Sequence, residues 1–105
     1  MLYKLYMTRS KAEAKLPDSD MEWIFKGFQE TYQEYGVKII GAWENADDRL
    51  EGYLITAYRD AAHYEEAVAK MRVNERYQTL SKELGDTRES VKVVTLKTLP
   101  GSPIE

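Results

Sequence analysis

Residues 37–58 read VKIIGAWENADDRLEGYLITAY, and they decide the fold that the sequence predicts. Two segments rich in β-branched and aromatic residues, 37–44 and 50–58, flank a polar connection at 45–49. Asn and Asp favour turns because their side chains hydrogen-bond to nearby backbone groups. The stretch therefore predicts a β-hairpin, with a connection longer than the tightest hairpin turns.

The segment before the hairpin predicts an amphipathic helix over about residues 19–35. Ser19 and Glu22 fit a capping box at its start, and Gly36 is a typical residue for its end. The apolar residues recur at helical spacing within an arc of about 100°. They are Met21, Ile24, Phe25, Phe28, Tyr32 and Tyr35.

The segment after the hairpin predicts two shorter helices. Asp60 can cap a helix over about residues 61–72, because its carboxylate can accept free N–H groups of the first turn. Asn74 can cap a second helix over about residues 75–84 in the same way. We therefore expect a break in the helical region at about residue 73.

Two further strands complete the prediction, over residues 2–8 and 91–99, with residues 86–89 as a polar link before the last strand. The order β-α-β-β-α-β is that of the ferredoxin-like α+β fold, with a four-stranded antiparallel sheet. We expect a single domain of this type over residues 1–99. Residues 100–105 contain Pro and Gly, and we expect them to form a flexible C-terminal tail.

Composition narrows the classes of function. The chain has 105 residues, a formal net charge of -3 and no Cys. It lacks the basic character of proteins that bind nucleic acid or anionic membranes, and it can form neither a disulfide nor a thiolate site. A single His, His63, excludes a multi-histidine metal site within one chain. We expect no metal and no cofactor.

The sequence also indicates where the protein works. No apolar run approaches the length of about 18 residues that a membrane span needs. Residues 1–8 lack a basic start followed by a long apolar region, so we expect no signal peptide. The expected location is the cytoplasm.

The predicted strands are apolar on both faces, although the helices can cover only one face of the sheet. In the last strand, Val91 and Val93 oppose Val94 and Leu96. Leaving three or four large side chains in water would forgo several kcal/mol, at about 25 cal/mol per Å². A second copy of the sheet would cover them, so we expect a two-fold homodimer. The alternative is a monomer with scattered exposed apolar residues.

Three segments connect the sequence to a known group of proteins: YKLY at 3–6, KIIGAW at 38–43, and ITAYRDAAHY at 55–64, the last followed by Arg76 and Tyr77. In these segments the chain resembles the dimeric α+β barrel superfamily and, within it, small NIPSNAP-like proteins. The superfamily includes haem-degrading and quinone-forming monooxygenases, lactone isomerases, peroxidases, polyketide cyclases and members without known activity. Its fold alone therefore does not define the chemistry.

The resemblance implies a protein that binds a small hydrophobic or aromatic molecule. It leaves open a cofactor-independent enzyme (monooxygenase, isomerase, cyclase or condensing type) in secondary-metabolite biosynthesis of pigment or polyketide-like compounds. It equally leaves open a non-enzymatic NIPSNAP-like binding or structural protein, or a ligand sensor with its site at the dimer seam. The haem-degrading members usually supply an axial His late in the second helical region, and residues 72–84 contain no His.

Two residues are candidates for catalysis. His63 is the candidate general base, because imidazole is the side chain that ordinarily exchanges a proton near neutral pH. Arg59 can hold an anionic group of a substrate, because its planar guanidinium matches a carboxylate. The alternatives are a half-buried His without a role and an Arg that pairs with a carboxylate such as Glu51.

Five residues are candidates for substrate binding. Aromatic rings with polar atoms suit a flat, oxygenated organic molecule, and the side chain of Asn74 can hydrogen-bond a substrate carbonyl. The alternatives are ordinary core and dimer packing for the aromatic residues and helix capping for Asn74. The aromatic candidates are Tyr6, Tyr32, Trp43 and Tyr58.

Overall fold

The computed structural model describes residues 1–12 and 18–103, without the side chains of Asp18 and Ser19. Four strands in this part of the chain form one antiparallel sheet in the order β2-β3-β1-β4. Three helices connect them, and the ferredoxin-like α+β fold predicted from the sequence is confirmed. The elements are β1 (Leu2–Ser10), α1 (Asp18–Glu34), β2 (Lys38–Asn45), β3 (Asp48–Tyr58), α2 (Ala61–Arg72), α3 (Glu75–Gly85) and β4 (Arg88–Lys97).

The hairpin between β2 and β3 is tighter than predicted. Only Ala46 and Asp47 form the turn, because Asp48 already belongs to β3. The side chain of Asn45 accepts a hydrogen bond from the backbone N–H of Asp47 at 2.9 Å. The polar residues therefore shape the turn, as their type predicts, but from strand ends rather than from a long loop.

Several helix and strand boundaries also differ from the prediction, and two of them matter for the argument. α1 begins at Asp18, so Ser19 lies inside its first turn and the predicted cap position is wrong. β4 begins at Arg88 and not at Val91, because the sheet continues along the far end of β1, where Ser10 pairs with Arg88. The single domain over 1–99 and the flexible tail over 100–105 stay predictions.

The strand register assigns each side chain of the sheet to one of two faces. Tyr6 of β1 and its partner Leu54 of β3 lie on the face that packs against the helices. Leu5, with its partners Ile55 and Val94, lies on the opposite side, which we call the outer face. Each described helix packs on the helix-facing side, so the two faces have different environments.

The core fills the space between the sheet and the helices. The side of α1 that the sequence predicts to be apolar is buried there, and Gly27 lets Leu80 of α3 approach closely, since a Cβ at Gly27 would lie 2.9 Å from Leu80 Cδ1. The buried cluster consists of Ile24, Phe28, Tyr32, Val37, Tyr58, Ala67, Met71 and Leu80. None of the described helices is long and apolar enough to cross a membrane. The expected cytoplasmic location stays a prediction.

Replacing Gly36 tests the end of α1. Gly36 has a φ of +71°, and residues with a side chain disfavour this region by about 1–2 kcal/mol. We expect Gly36→Ala to lower the free energy of unfolding by about that amount, measured by urea denaturation. Gly85→Ala is the control, since a Cβ there has open space, and it should change stability little or raise it by up to about 1 kcal/mol. Equal stability of Gly36→Ala and the wild type would contradict the argument.

Candidate functional site

A cavity of about 350 Å³ lies between the helix-facing side of the sheet and helices α1 and α3. This volume is within the range of about 300–1,000 Å³ that is typical of ligand sites. Small residues line part of it, including Thr8, Gly52, Ala42 and Ser81. The cavity exists because these positions leave space that larger side chains would fill.

One wall of the cavity is built from aromatic rings of α1 and α3. The ring of Phe28 lies 5.8 Å from that of Tyr77 at an interplanar angle of 75°. Tyr32 lies 6.0 Å from Phe28 and 6.1 Å from Tyr77. Aromatic pairs in such tilted and edge-on arrangements contribute about 0.5–1.5 kcal/mol each. The wall is therefore a mutually supported surface with its phenols in fixed positions.

Asn74 positions this wall from outside the cavity. Its Oδ1 accepts the backbone N–H of Tyr77 at 2.9 Å, and its Nδ2 donates to the hydroxyl of Tyr35 at 2.8 Å. The predicted N-cap of α3 is confirmed. Helix capping engages the oxygen of the Asn74 amide and the Tyr35 hydroxyl engages its nitrogen. The predicted contact with a substrate carbonyl stays a prediction.

Two phenols of the cavity, those of Tyr6 and Tyr32, remain protonated. Burial raises the pKa of Tyr6 and of Tyr32 far above the usual value, and neighbouring phenols raise it further. Burial also raises the pKa of Tyr58, which adjoins Tyr6. A protonated phenol keeps a hydrogen to donate. The hydroxyls of Tyr6 and Tyr32 therefore keep their hydrogens over the whole practical pH range.

Arg88 brings a positive charge to the cavity. Its Nε is buried and has no hydrogen-bond partner, and the guanidinium makes no ion pair with any residue that the structure describes. Burial lowers the pKa of Arg88, an effect opposed by the nearby phenols of Tyr32, Tyr77 and Tyr6. An Arg nevertheless keeps its proton in a protein at neutral pH. Among the described residues, the site therefore contains a cation without an ion-pair partner.

The backbone before Arg88 is firmly held. Thr87 is buried, and its Oγ1 donates to the carbonyl of Leu84 at 2.7 Å. The backbone N–H of Lys11 donates to the carbonyl of Thr87 at 2.8 Å. The end of α3 and the end of β1 thus fix the position from which Arg88 enters the cavity.

Arg88 and Tyr77 are cavity residues that the predicted site did not include. The prediction placed Arg88 in a polar link, whereas it is the first residue of β4. Strict alternation backwards from Val91 would put Arg88 on the outer face. A register shift between Arg9 and Ser10 reverses this, because Arg88 pairs with Ser10 on the helix-facing side. The apolar spacing along α3 could have indicated Tyr77 as a residue of the site. Nothing in the sequence indicates the bulge that places Arg88 there.

Two of the four aromatic residues predicted to bind substrate form walls of the cavity, and the other two lie beside it. Tyr6 and Tyr32 line the cavity. Tyr58 is buried beside Tyr6, and Oγ1 of Thr56 donates to its hydroxyl at 3.2 Å. Trp43 borders the cavity, but alternation directs its side chain to the outer face.

The ring of Trp43 lies across Gly41. A Cβ at Gly41 would lie 2.6 Å from Cη2 of Trp43, so the close approach depends on the glycine. Trp43 is 52% exposed. Its indole therefore forms part of the outer face rather than a wall of the cavity.

His63 is buried and ties three elements together. Its Nδ1 accepts the backbone N–H of Arg59 at 3.0 Å, so Nε2 carries the hydrogen and donates to the carbonyl of Tyr35 at 2.8 Å. Its own N–H donates to the capping carboxylate of Asp60 at 2.8 Å, and its ring meets Tyr58 edge-on at 5.8 Å. Backbone groups occupy both ring nitrogens, and this geometry supports a structural role.

The two predicted catalytic residues do not line the cavity. The side chain of Arg59 is exposed at the junction of β3 and α2. Catalytic roles for His63 and Arg59 stay predictions. Within residues 1–12 and 18–103, no three His, Asp or Glu side chains converge so that they could hold a metal ion.

Replacing His63 tests its structural role. We expect His63→Ala to lower the free energy of unfolding by about 2–4 kcal/mol, because it opens a cavity and leaves two backbone groups without partners. Chemical denaturation measures the loss. Arg59→Ala, at an exposed neighbour, should change stability by less than about 0.5 kcal/mol. A His63→Ala variant as stable as the wild type would show that the tie is dispensable.

Comparison with known proteins supports the fold and no narrower assignment. No family model matches the chain, and no curated protein matches it. Solved structures do match. A NIPSNAP family protein with unknown function from Agrobacterium tumefaciens superposes with a TM-score of 0.84 at 17% identity, over 100% of this chain and 94% of that chain.

Two further solved structures have the same fold at lower TM-scores. An uncharacterized NIPSNAP domain protein from Burkholderia xenovorans has a TM-score of 0.75 at 18% identity, over 98% of this chain and 99% of that chain. A putative antibiotic biosynthesis monooxygenase from Nitrosomonas europaea has a TM-score of 0.63 at 15% identity, over 94% and 99%. The chain has their fold. The resemblance seen in the sequence is confirmed at this level.

Proposed function

We propose that the chain is a homodimeric protein that binds a small hydrophobic or aromatic molecule in the cavity between the sheet and helices α1 and α3. The observation that carries the proposal is a ligand-sized space, about 350 Å³, walled by aromatic rings with a few convergent polar groups. This is the usual construction of a small-molecule site. A packed core without a ligand role would fill such a space with side chains.

The geometry of the wall favours a flat ligand. Phe28, Tyr32 and Tyr77 present ring faces and edges that can stack against another ring. The hydroxyl of Tyr6 on the sheet adds a hydrogen-bond donor from the opposite side. Oxygen atoms on the ligand would be fixed by these donors, and the rest of the molecule would displace water from apolar surface.

An enzymatic role is the extension of this proposal. Solved neighbours with the same fold include proteins described as antibiotic biosynthesis monooxygenases. By analogy, the cavity would hold the substrate of a cofactor-independent reaction (oxygenation, isomerisation, cyclisation or condensation) in secondary-metabolite biosynthesis. The phenols would orient the substrate and stabilise negative charge rather than remove protons, because burial raises the pKa of Tyr6 and Tyr32. The alternative is ligand binding without chemistry.

The outer face supports the homodimer. Leu5, Ile55 and Val94 lie at its centre and are partly exposed. Trp43 is 52% exposed and Leu96 is 37% exposed on the same face. The described helices all pack on the other side of the sheet. A second copy turned about a two-fold axis would bury this surface against an identical one.

Ligand binding can be tested with a fluorescent neutral aromatic probe, phenylnaphthylamine. We expect saturable binding by the wild type, and we expect Ala42→Trp to weaken it by about tenfold or more, because the larger side chain would occupy the cavity. Ala69→Trp, at an exposed position on α2, is the control and should bind like the wild type. Failure of the wild type to bind, or equal binding by Ala42→Trp, would refute the cavity as the site.

The dimer can be tested by two substitutions at adjacent residues of β4. Val94 points to the outer face and Val93, the partner of Tyr6, points to the helix-facing side. We expect the wild type and Val93→Lys to sediment as dimers at micromolar concentration. Val94→Lys should sediment as a monomer, because it would bury a charge in the interface. A monomeric wild type, or a dimeric Val94→Lys, would contradict the proposed interface.

A further inference from the structure

We propose that Arg88 makes the cavity selective for ligands that carry an anionic oxygen on an aromatic or otherwise flat apolar frame, such as a phenolate, an enolate or a carboxylate. This inference rests on the proposed binding function and narrows its ligand class. It starts from the one cationic side chain among the described cavity residues and from the groups that surround it.

The guanidinium of Arg88 has unmet hydrogen-bonding capacity. More than about 90% of buried polar groups in proteins have a partner. Among the described residues, two buried side-chain atoms have none, Arg88 Nε and Thr98 Oγ1, and of these two residues only Arg88 lines the cavity. An oxyanion can accept from Nε and a terminal nitrogen of one guanidinium at the same time.

Neutral phenols surround the guanidinium of Arg88. The side chains that act on it are the phenols of Tyr32 on α1, Tyr77 on α3 and Tyr6 on β1. A phenol can donate one hydrogen bond and can also accept, whereas a guanidinium only donates. A neutral hydrogen-bond donor on a ligand could meet the phenol oxygens among these groups, but it would leave the guanidinium without an acceptor. An oxygen with full negative charge would be complementary.

The acidic residues of the cavity do not neutralise Arg88. Glu44 on β2 and Glu51 on β3 also line it. Oε1 of Glu51 accepts the hydroxyl of Tyr53 at 3.0 Å on the outer-face side of β3. Neither carboxylate forms an ion pair with Arg88. The positive charge therefore remains available to a ligand.

Two probes with the same rings test the proposal: anilinonaphthalene sulfonate, which is anionic, and phenylnaphthylamine, which lacks the sulfonate. We expect Arg88→Met to weaken binding of the anionic probe by about tenfold or more, and to change binding of the neutral probe by less than about twofold. Arg72→Met removes the same charge at an exposed position on α2 and should leave both affinities unchanged.

A second measurement separates ligand recognition from a structural role. A partly buried charge without a partner destabilises the free protein, so we expect the Tm of ligand-free Arg88→Met to equal or exceed that of the wild type. Arg88→Lys keeps the charge and should retain a preference for the anionic probe over the neutral one. If Arg88→Met fails to fold, the proposal is overturned by an Arg88→Lys variant that shows no such preference.

The outcomes also distinguish the two proposals. Equal affinity of Arg88→Met and the wild type for the anionic probe would overturn the role of Arg88 while cavity binding stands. An equal loss in Arg88→Met and Arg72→Met would overturn it too, because net charge would then explain the effect. If the wild type binds neither probe, the proposed binding function fails together with this inference.

Discussion

The register of β1 against β3 and β4 is the constraint on which the rest of the structure depends. Because β1 pairs along nearly its whole length with both neighbours, a change of one residue would exchange the two faces of the sheet. The phenol of Tyr6 would leave the cavity, and Leu5 would enter it. The same register aligns the apolar residues of the outer face. Cavity and proposed dimer interface are thus two consequences of one pairing.

The two ends of the helix-facing side are packed differently. At one end, His63 connects the end of α1, the end of β3 and the start of α2, and Tyr58, Ala67 and Met71 are almost fully buried. At the other end, small residues such as Gly52 leave a cavity, and its aromatic wall is held by packing between α1 and α3. Phe28 and Tyr32 belong both to the buried core and to the wall of the cavity. The cavity is therefore an extension of the core.

The chemistry of the cavity favours recognition and charge stabilisation. Its phenols can donate hydrogen bonds, and Arg88 makes no ion pair with any described residue. The imidazole expected to act as a base is engaged with backbone groups elsewhere. The NIPSNAP and monooxygenase structures compared above are at most 18% identical to this chain. At this identity the likeness shows a shared fold and nothing narrower. One fold supports many activities, so the function has to be argued from the residues of the site, and the proposal made above places Arg88 among them.

Local sequence determined the elements of this protein. The caps Asp60 and Asn74 and the stop at Gly36 act through hydrogen bonds and dihedral angles within a few residues. Apolar residues on both faces of the strands indicated a sheet whose second face also has to be covered. These signals predicted the order of elements and placed Tyr6 and Tyr32 near the site.

Tertiary structure alone decided which polar residues meet. Arg88 enters the cavity because of a bulge against Ser10, His63 is satisfied by a carbonyl of α1's C-terminal turn, and the ring of Trp43 lies on the outer face over Gly41. Each of these depends on contacts between residues far apart in the chain. Periodicity along a segment does not predict such contacts. A bulge shifts the phase of alternation within a strand, and the partners of a side chain come from other elements.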